Sequence, residues 1–241
     1  MIGIGTVINS ISIIIGGTIG YFAGRLFNID QQESLNKVCG ISIMFIAIAG
    51  VMSGMLKFNG SEIIVEKSLF VVLCIALGTI VGELIGIERW FESLGEWLKI
   101  QSGNGKDSRF VDAFVTASLT VSIGAMGVVG SIQDGLSGDY STLVLKSVLD
   151  FIIIAMMTSS MGIGSAFSVI PVFVIQISIT FFASLVSPYV TTMAVNYLSL
   201  IGSVIIFSIG VNLVWGKKIN VANMLPAIIF AILAAYLPWS F

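Results

Sequence analysis

The chain of 241 residues is 56% hydrophobic and only 10% charged, with a mean hydropathy of +1.06. Soluble domains carry about 25% charged residues, so this composition excludes an ordinary soluble domain and predicts a protein embedded in the lipid bilayer. The net charge of -2 comes without a basic cluster, which argues against a nucleic-acid partner. Because there is no histidine, histidine-ligated metal sites and Ser-His or Cys-His catalytic pairs are excluded. Neither a cofactor nor a metal is expected.

Eight apolar segments approach the about 20 residues that a membrane-spanning helix needs. The fifth and sixth are separated only by residues 162–165, so one long kinked span and two helices in a tight hairpin both stay open. The expected fold is all-α, a polytopic transmembrane helix bundle that forms a single domain over residues 1–241. We expect the helices at residues 4–24, 38–56, 68–87, 110–131, 143–161, 165–186, 194–215 and 222–239.

The positions of Lys and Arg favour eight separate helices, because positive residues collect in cytoplasmic loops. If the fifth and sixth helices are merged, Lys217 and Lys218 change sides and the eleven basic residues split six against five. With eight helices the split is eight against three (Lys57, Lys67 and Lys146), so we predict that both termini lie outside. The inner side then holds Arg25, Lys37, Arg89, Lys99, Lys106, Arg109, Lys217 and Lys218.

Residues 88–100, between the third and fourth helices, predict an amphipathic helix that lies in the membrane interface. Acidic and basic residues separate the large apolar ones along this segment. The alternative is a docking surface for a cytosolic partner. The apolar residues at helical spacing are Trp90, Phe91, Leu94, Trp97 and Leu98.

A weak internal repeat relates the two ends of the chain. GIGT at residues 3–6 resembles GIGS at 162–165, and FIAIAGV at 45–51 resembles IIFSIGV at 205–211. The repeat units would be residues 1–87 and 162–241, flanking a central polar helix pair at 110–161. Units five helices apart are inverted in the membrane, as in many secondary transporters. Short apolar matches also arise by chance, so coincidence stays open.

Polar residues concentrate between Phe110 and Asp150, in sequence that otherwise reads as membrane-buried. Such groups are expensive in lipid and usually face a protein interior or a water-filled path. Asp112, Thr116 and Thr120 share one helix face at i, i+4 and i+8, with Ser122 on a neighbouring strip. The alternative is helix packing, in which hydroxyls bond to their own helix and glycines permit close crossing. Glycines that we expect to end or loosen this helix are Gly124, Gly127 and Gly130.

The connection SIQDGLSGDYS at residues 131–141 is glycine-rich and acidic. As an outer loop it would be ordinary turn chemistry. As a re-entrant or broken-helix element it would continue the polar string through Gln133 and present carbonyl groups and the carboxylates of Asp134 and Asp139 to a cation or an amine. Irregular backbone at membrane depth is tolerated only where it lines a cavity or is buried in protein. Both interpretations stay open.

The fifth predicted helix places two opposite charges, Lys146 and Asp150, one turn apart on one face. The alternative is a pair near the outer interface, with Lys146 extending to the headgroups. Further along, Thr158 and Ser160 lead to a second break at Gly162 and Gly164. Two interrupted helices near the middle of a chain are typical of a transport site. Asn9, Gln176 and Asn212 are further polar residues within or near apolar segments.

Several motifs resemble one family over essentially the whole chain. They are GIGTVIN at residues 3–9, TASL at 116–119, GSIQDGLSGDYS at 130–141, KSVLD at 146–150, MGIGSAFS at 161–168, and IGVNL with KKINVANMLPA at 209–227. They resemble the YqgA-like family of bacterial inner-membrane proteins, a domain-of-unknown-function family. The resemblance implies a multi-pass bacterial membrane protein suspected of transport, and it assigns no functional residues.

Together these features predict a transporter or channel of the bacterial plasma (inner) membrane, for a small solute or ion. The expected path residues are Asp112, Thr116, Thr120, Ser122, Gln133, Asp134, Asp139, Lys146, Asp150, Thr158 and Ser160. A non-transporting membrane scaffold or sensor is the alternative, and an intramembrane enzyme ranks last because no nucleophile–base pattern is present. No GxxxxGK[ST] loop is present, which argues against ATP-driven transport by this chain alone. A homo-oligomer, with a dimer as the simplest case, is expected from size alone.

Overall fold

The computed structural model describes residues 2–59, 62–122, 125–189 and 191–236, and this part of the chain is mainly helical. A short antiparallel hairpin follows α2 and consists of β1 (Leu56–Asn59) and β2 (Glu62–Val65), with Leu56 opposite Val65. Three 3-10 turns lie at Ile163–Ser168, Ser187–Tyr189 and Val221–Met224. The helices are α1 (Ile4–Gly24), α2 (Ile29–Met55), α3 (Ser68–Ile85), α4 (Ile87–Gln101), α5 (Phe110–Ser122), α6 (Ala125–Ser137), α7 (Ser141–Met161), α8 (Val169–Phe181), α9 (Ala183–Val186), α10 (Thr192–Trp215) and α11 (Pro226–Ala234).

The chain forms the all-α polytopic bundle that its composition predicts. Within the described residues, six helical segments are long and apolar enough to cross a membrane: α1, α2, α3, α7, Ile163–Phe181 and α10. A seventh span is complete if α5 and α6, bent by 60°, count as one broken helix. The eighth expected helix, at 222–239, corresponds to the shorter apolar segment Val221–Ala234.

Two of the expected helix boundaries need correction. The fourth helix, expected as one piece at 110–131, consists of α5 and α6, and α6 continues to Ser137. The second helix, expected from residue 38, begins at Ile29 because Asn28 and Gln31 form a reciprocal capping box ahead of the apolar part. Its first turns are polar, so apolar length alone does not detect them.

Glycines bring α1 and α7 into backbone contact. Gly16, Gly20 and Gly24 recur every fourth residue and therefore lie on one face of α1. A Cβ on any of them would overlap an α7 carbonyl oxygen, so these positions admit no side chain without separating the helices. Contacts advance in the same order along both helices, so α1 and α7 run in parallel. The carbonyls belong, in order, to Phe151, Ala155 and Ser159.

Two further helix pairs pack antiparallel in the same way. Gly40 of α2 lies against Gly210 of α10, and each would meet the other's carbonyl oxygen if it carried a Cβ, at 2.9 and 2.8 Å. Gly54 lies against Leu200, so α2 and α10 run in opposite directions. In α3, Gly78 packs against Ala227 at the start of α11. These contacts neither require nor exclude the inverted repeat, which stays a prediction.

The fifth and sixth predicted helices form a tight hairpin and not one kinked span. α7 ends at Met161 and is followed by Gly162, whose φ of 108° is a backbone conformation that favours glycine. The chain returns through the 3-10 turn into α8, which runs antiparallel to α1: Ala166 contacts Gly17, and Ile177 contacts Gly3. The helix break expected at Gly162 is therefore present.

The bundle has two chemically different ends. One end, the basic end, is formed by residues 25–37, 85–109 and 212–221 and holds the eight basic residues that sequence analysis groups together. The opposite end, the hairpin end, is formed by β1 and β2, residues 137–141 and residues 182–189. The two groups of loops separate as predicted, with Lys57 and Lys67 at the hairpin end, but Lys146, predicted on the same side, is buried inside the bundle.

Candidate functional site

Lys146 and Asp150 form an ion pair inside the bundle, one turn apart on α7. Nζ of Lys146 bonds to Oδ2 of Asp150, and only 6% and 3% of the two residues are exposed. Taking two charges out of water costs several kcal/mol per ion, which is offset only by good geometry and additional hydrogen bonds. The pair therefore lies in the protein interior and not at the outer interface.

The ammonium of Lys146 has a second partner at the end of a neighbouring helix. It donates a hydrogen bond to the carbonyl oxygen of Val121, at 2.8 Å. Val121 is in the last turn of α5, where carbonyl groups have no partner within their own helix and carry the negative end of the helix dipole. Lys146 therefore provides a hydrogen-bond donor for a free carbonyl group at the end of α5, next to the bend between α5 and α6.

Two amide side chains complete this group of residues. Nδ2 of Asn9 on α1 donates to Oδ2 of Asp150 at 3.0 Å and to Oε1 of Gln176 on α8 at 3.3 Å. All four side chains are buried. We call Asn9, Lys146, Asp150 and Gln176 the central cluster. It joins α1, α7 and α8 to the end of α5.

Asp134 is fully buried on α6, but it stabilises a helix terminus. Its two carboxylate oxygens accept hydrogen bonds from the backbone N–H groups of Gly3 and Gly5, at 3.1 and 3.0 Å. These N–H groups belong to the start of α1, where a negative charge is favourable. We expected Asp134 to present its carboxylate to a cation. In the structure, the carboxylate caps the start of α1 instead.

The connection expected at 131–141 is mostly helix. Only residues 138–140 link α6 to α7, so an eleven-residue surface loop is not present, and residues 131–137 belong to the second half of the broken helix, as one of the two interpretations expects. Gln133 accepts a hydrogen bond from the Thr142 hydroxyl at 2.7 Å. Asp139 is exposed, and hydrogen bonds from the Ser141 hydroxyl and N–H lower the pKa of its carboxyl group. It belongs to the surface at the hairpin end.

A cavity of about 360 Å³ opens at the basic end. Its walls are the first turns of α2, one face of α5 from Asp112 to Leu119, and the last turns of α7 and α10. Three predicted path residues, Asp112, Thr116 and Ser160, line it together. Its volume is within the range of small-molecule sites, about 300–1,000 Å³.

Charged residues of both signs surround this cavity. Lys217 pairs with the buried Glu88 at 3.1 Å and with Glu92 at 2.6 Å. Burial lowers the pKa of Lys217, but its hydrogen bonds to Glu92 and Glu88 outweigh that effect and raise the pKa overall. Arg109 donates to Gln32 at 3.2 Å. Within the described part of the chain, Asp112 has no side-chain hydrogen bond or ion pair, so its carboxylate is free to contact a solute.

Family comparison agrees with the motif pattern. The family model described as "Protein of unknown function (DUF554)" matches residues 4–236. The chain belongs to this DUF554 family. The chain is 24% identical over 225 residues to "Uncharacterized membrane protein YdfK" of Bacillus subtilis (strain 168), covering 93% of this chain and 92% of that protein. It is also 24% identical over 242 residues to "Uncharacterized protein YqgA" of Escherichia coli (strain K12), covering 98% of each chain. No solved structure gives a significant match.

The predicted hydroxyl residues of this DUF554 protein fall into two groups. Thr120 donates to the Thr116 carbonyl at 2.7 Å, and Ser160 donates to the Met156 carbonyl at 3.0 Å, as the packing alternative requires. The hydroxyls of Ser122 and Thr158 are buried without a partner in the described part of the chain. The second group is therefore the one available to water or a solute.

The predicted helix-breaking glycines also differ in their roles. Gly127 and Gly130 lie inside α6, which continues through both, so they do not break it. Gly127 instead lies beside the Lys146 side chain, because a Cβ at this position would be 3.4 Å from Cε of Lys146. Gly164, in the 3-10 turn, lies against the Phe110 carbonyl oxygen. Gly124 lies outside the described residues.

Sequence reasoning did not select the residues that complete the site. Asn9 and Gln176 were visible only as isolated amides in apolar helices, 141 and 26 residues from Asp150. Glu88 was not selected and Lys217 was used only to assign the topology, although the structure pairs them at the cavity wall. The sequence shows only that each of these polar residues lies in or near an apolar segment. It does not indicate which residue is its partner.

Proposed function

We propose that this protein is a membrane transporter for a small polar solute or ion. The observation that carries the proposal is the buried Lys146–Asp150 pair, which lies at the break between α5 and α6 in the broken span. Ionisable residues within membrane-spanning segments usually mark substrate or ion pathways. Broken helices at such positions are typical of secondary transporters, where helix ends contact the transported species.

The geometry supports a route from the basic end to the central cluster along α5. Asp112, Thr116 and Leu119 of this helix line the cavity, and the Val121 carbonyl bonds to Lys146. Leu119 and Val121 are two residues apart, a rise of about 3 Å along the helix. No residue of the central cluster is among those that line the cavity, so α5 is the element that connects the two.

A transporter is favoured over an open channel because the central cluster fills the bundle interior. Phe114 of α5, Ile154 of α7 and Ile201 of α10 are fully buried around the path. A solute can pass only if helices move, which is the behaviour of an alternating-access carrier. We place the protein in the bacterial plasma membrane, with the basic end facing the cytoplasm, since Lys and Arg collect on that side.

Reconstitution into liposomes tests the proposal directly. Purified protein should move at least one member of a panel of inorganic ions, amino acids and organic anions faster than empty liposomes. Lys146→Met and Asp150→Asn should each abolish that flux, because each removes one member of the buried pair. Flux equal to that of empty liposomes for every solute would contradict the transport proposal.

Matched controls separate loss of the path from general damage. Lys57→Met and Glu62→Gln change a lysine and a carboxylate at exposed positions of the hairpin end and should leave flux unchanged. Each variant should be compared at equal protein content, after size-exclusion chromatography shows a single folded species. Normal flux in both central variants would contradict the role of the pair even if the wild-type protein transports.

A further inference from the structure

The central cluster is built around a fixed cation of the protein itself. Helix C-termini within transporters commonly coordinate the coupling cation through their free carbonyl groups. Here the carbonyl oxygen of Val121 is bonded at 2.8 Å by the ammonium of Lys146, and the carboxylate of Asp150 neutralises that ammonium. A carbonyl and a carboxylate are the ligands that a metal cation would use. In this protein the ammonium of Lys146 is bonded to both of these groups.

One carboxylate oxygen of Asp150, Oδ1, accepts no hydrogen bond in the described part of the chain. The hydrogen bonds that Asp150 receives there, from Lys146 and Asn9, both go to Oδ2. Oδ1 is therefore the atom that can accept a proton without first displacing a donor. Protonation would cancel the negative charge of Asp150 and weaken its hold on Lys146, while the Val121 carbonyl would still accept from the ammonium.

Buried hydroxyl groups extend from the cluster toward the hairpin end. The side-chain oxygens of Thr6 on α1, Ser131 on α6 and Thr180 on α8 are buried and have no partner among the described residues. Thr6 lies between the residues that bond Asp134 and those that bond Asp150, because Gly5 and Asn9 flank it on α1. A hydroxyl both donates and accepts, so such groups can pass a proton or hold a water.

A second set lies on the side of the basic end. Ser118 and Ser122 on α5 and Thr158 on α7 also have buried hydroxyls without a described partner. Each of these hydroxyls can both donate and accept a hydrogen bond. Unpaired hydroxyls therefore lie on both sides of Asp150.

We propose that the coupling ion is a proton, which binds Oδ1 of Asp150. The ammonium of Lys146 occupies the position where other transporters bind a coupling metal cation. This inference rests on the proposed transport function. The step is an acid–base exchange: a proton from water on one side adds to the carboxylate and gives the neutral acid. The same proton later leaves to water on the other side and restores the ion pair. No other bond forms or breaks.

Other titratable groups on the helices packed against α7 lie away from the pair. α8 and the 3-10 turn before it contain none. Asp134 is bonded by the N–H groups of Gly3 and Gly5, and the remaining groups lie toward the basic end or in the adjoining part of α2. The groups are Tyr21 on α1, Asp30, Glu33, Lys37 and Cys39 on α2, Asp112 on α5 and Asp134 on α6.

Charge displacement on a solid-supported membrane tests this proposal without a known solute. Proteoliposomes adsorbed to the sensor should give a transient current when the pH of the bathing solution is stepped at constant Na⁺ and K⁺. Steps of Na⁺ or K⁺ at constant pH should give none. A wild-type protein that responds to Na⁺ or K⁺ steps, or gives no current on a pH step, would overturn proton coupling.

Substitutions assign the proton to Asp150. Asp150→Asn keeps an oxygen for Lys146 and Asn9 but cannot be protonated, so the pH-step current should fall to that of protein-free membranes. Asp150→Glu retains a carboxyl group and should keep a current, and Glu62→Gln on β2 is the exposed control. A full current in Asp150→Asn contradicts the assignment. If solute flux is seen without any pH-step current, the inference fails while the transport proposal stands.

Discussion

Lys146 of α7 donates a hydrogen bond to the carbonyl oxygen of Val121 at the end of α5, across 25 residues of sequence and at 2.8 Å. The same ammonium pairs with Asp150. One side chain thus satisfies an interrupted helix and balances a buried carboxylate. A buried ion pair with these extra partners couples the position of α5 to the charge state of α7.

Lys146→Met should strongly destabilise the protein, because it leaves Asp150 buried without its cation. Removing one member of a buried pair typically costs about 3–5 kcal/mol. The measurement is the unfolding of the purified protein in detergent, by temperature or denaturant. Lys57→Met is the matched control, since the Lys57–Glu66 pair is exposed and such pairs contribute little.

A double variant separates the cost of an unpaired charge from the loss of packing. Lys146→Met combined with Asp150→Leu removes both charges and should recover a large part of the lost stability. The double variant should remain inactive in transport. A double variant no more stable than Lys146→Met would show that the unpaired carboxylate is not the cause of the loss.

Gly20→Ala should separate α1 from α7. The new Cβ would overlap the carbonyl oxygen of Ala155, a backbone atom that moves only with its helix. Overpacking of this kind costs about 1–3 kcal/mol. Gly105→Ala is the matched control, because nothing lies within 4 Å of its Cβ position. Equal melting temperatures for the two variants would contradict the close contact between α1 and α7.

The sequence predicts the spans well where composition and length decide. The first helix was expected at 4–24 and is Ile4–Gly24, and the seventh was expected at 194–215 and is Thr192–Trp215. The sequence does not predict the first turns of α2, which begin at Ile29 and not at residue 38. These turns are polar and are stabilised by the capping box at Asn28. Hydropathy detects contact with lipid and not the full length of a helix.

The candidate site is only partly predictable, for a physical reason. The i, i+4 spacing of Lys146 and Asp150 predicts their pairing, because spacing on one helix fixes which side chains meet. The function of Asp134 depends on N–H groups 129 and 131 residues away, which no local pattern reveals. Local spacing therefore predicts contacts within a helix, and the packing of separate helices decides the rest.

Asp134→Ala should destabilise the start of α1 while leaving the transport path intact. The carboxylate accepts from the N–H groups of Gly3 and Gly5, and loss of such a cap typically costs about 0.5–2 kcal/mol. Hydrogen exchange of the first turn of α1 should increase, and flux per folded molecule should remain. Flux lost in a fully folded variant would show that Asp134 belongs to the path.

Trp90 and Trp97 should lie at the lipid headgroups. They are 66% and 56% exposed on α4, whereas Gly95 and Leu98 are buried, and Gly95 packs against Phe114 of α5. In variants that retain one of these tryptophans as the single Trp, fluorescence should be quenched by spin labels near the headgroups more than by labels deep in the acyl chains. Quenching by aqueous iodide alone would instead indicate a surface open to a partner.

Thr116→Phe should block transport without unfolding the protein. Thr116 lines the cavity of about 360 Å³ and is only partly buried, so a larger side chain can extend into open space. The ring would narrow the route between the basic end and the central cluster, and flux should fall while the melting temperature changes little. Ser42→Phe, on the exposed face of α2, is the matched control for adding the same ring. If Thr116→Phe transports at the wild-type rate, the solute does not pass through this cavity, whereas a selective loss places the cavity on the route that ends at Lys146 and Asp150.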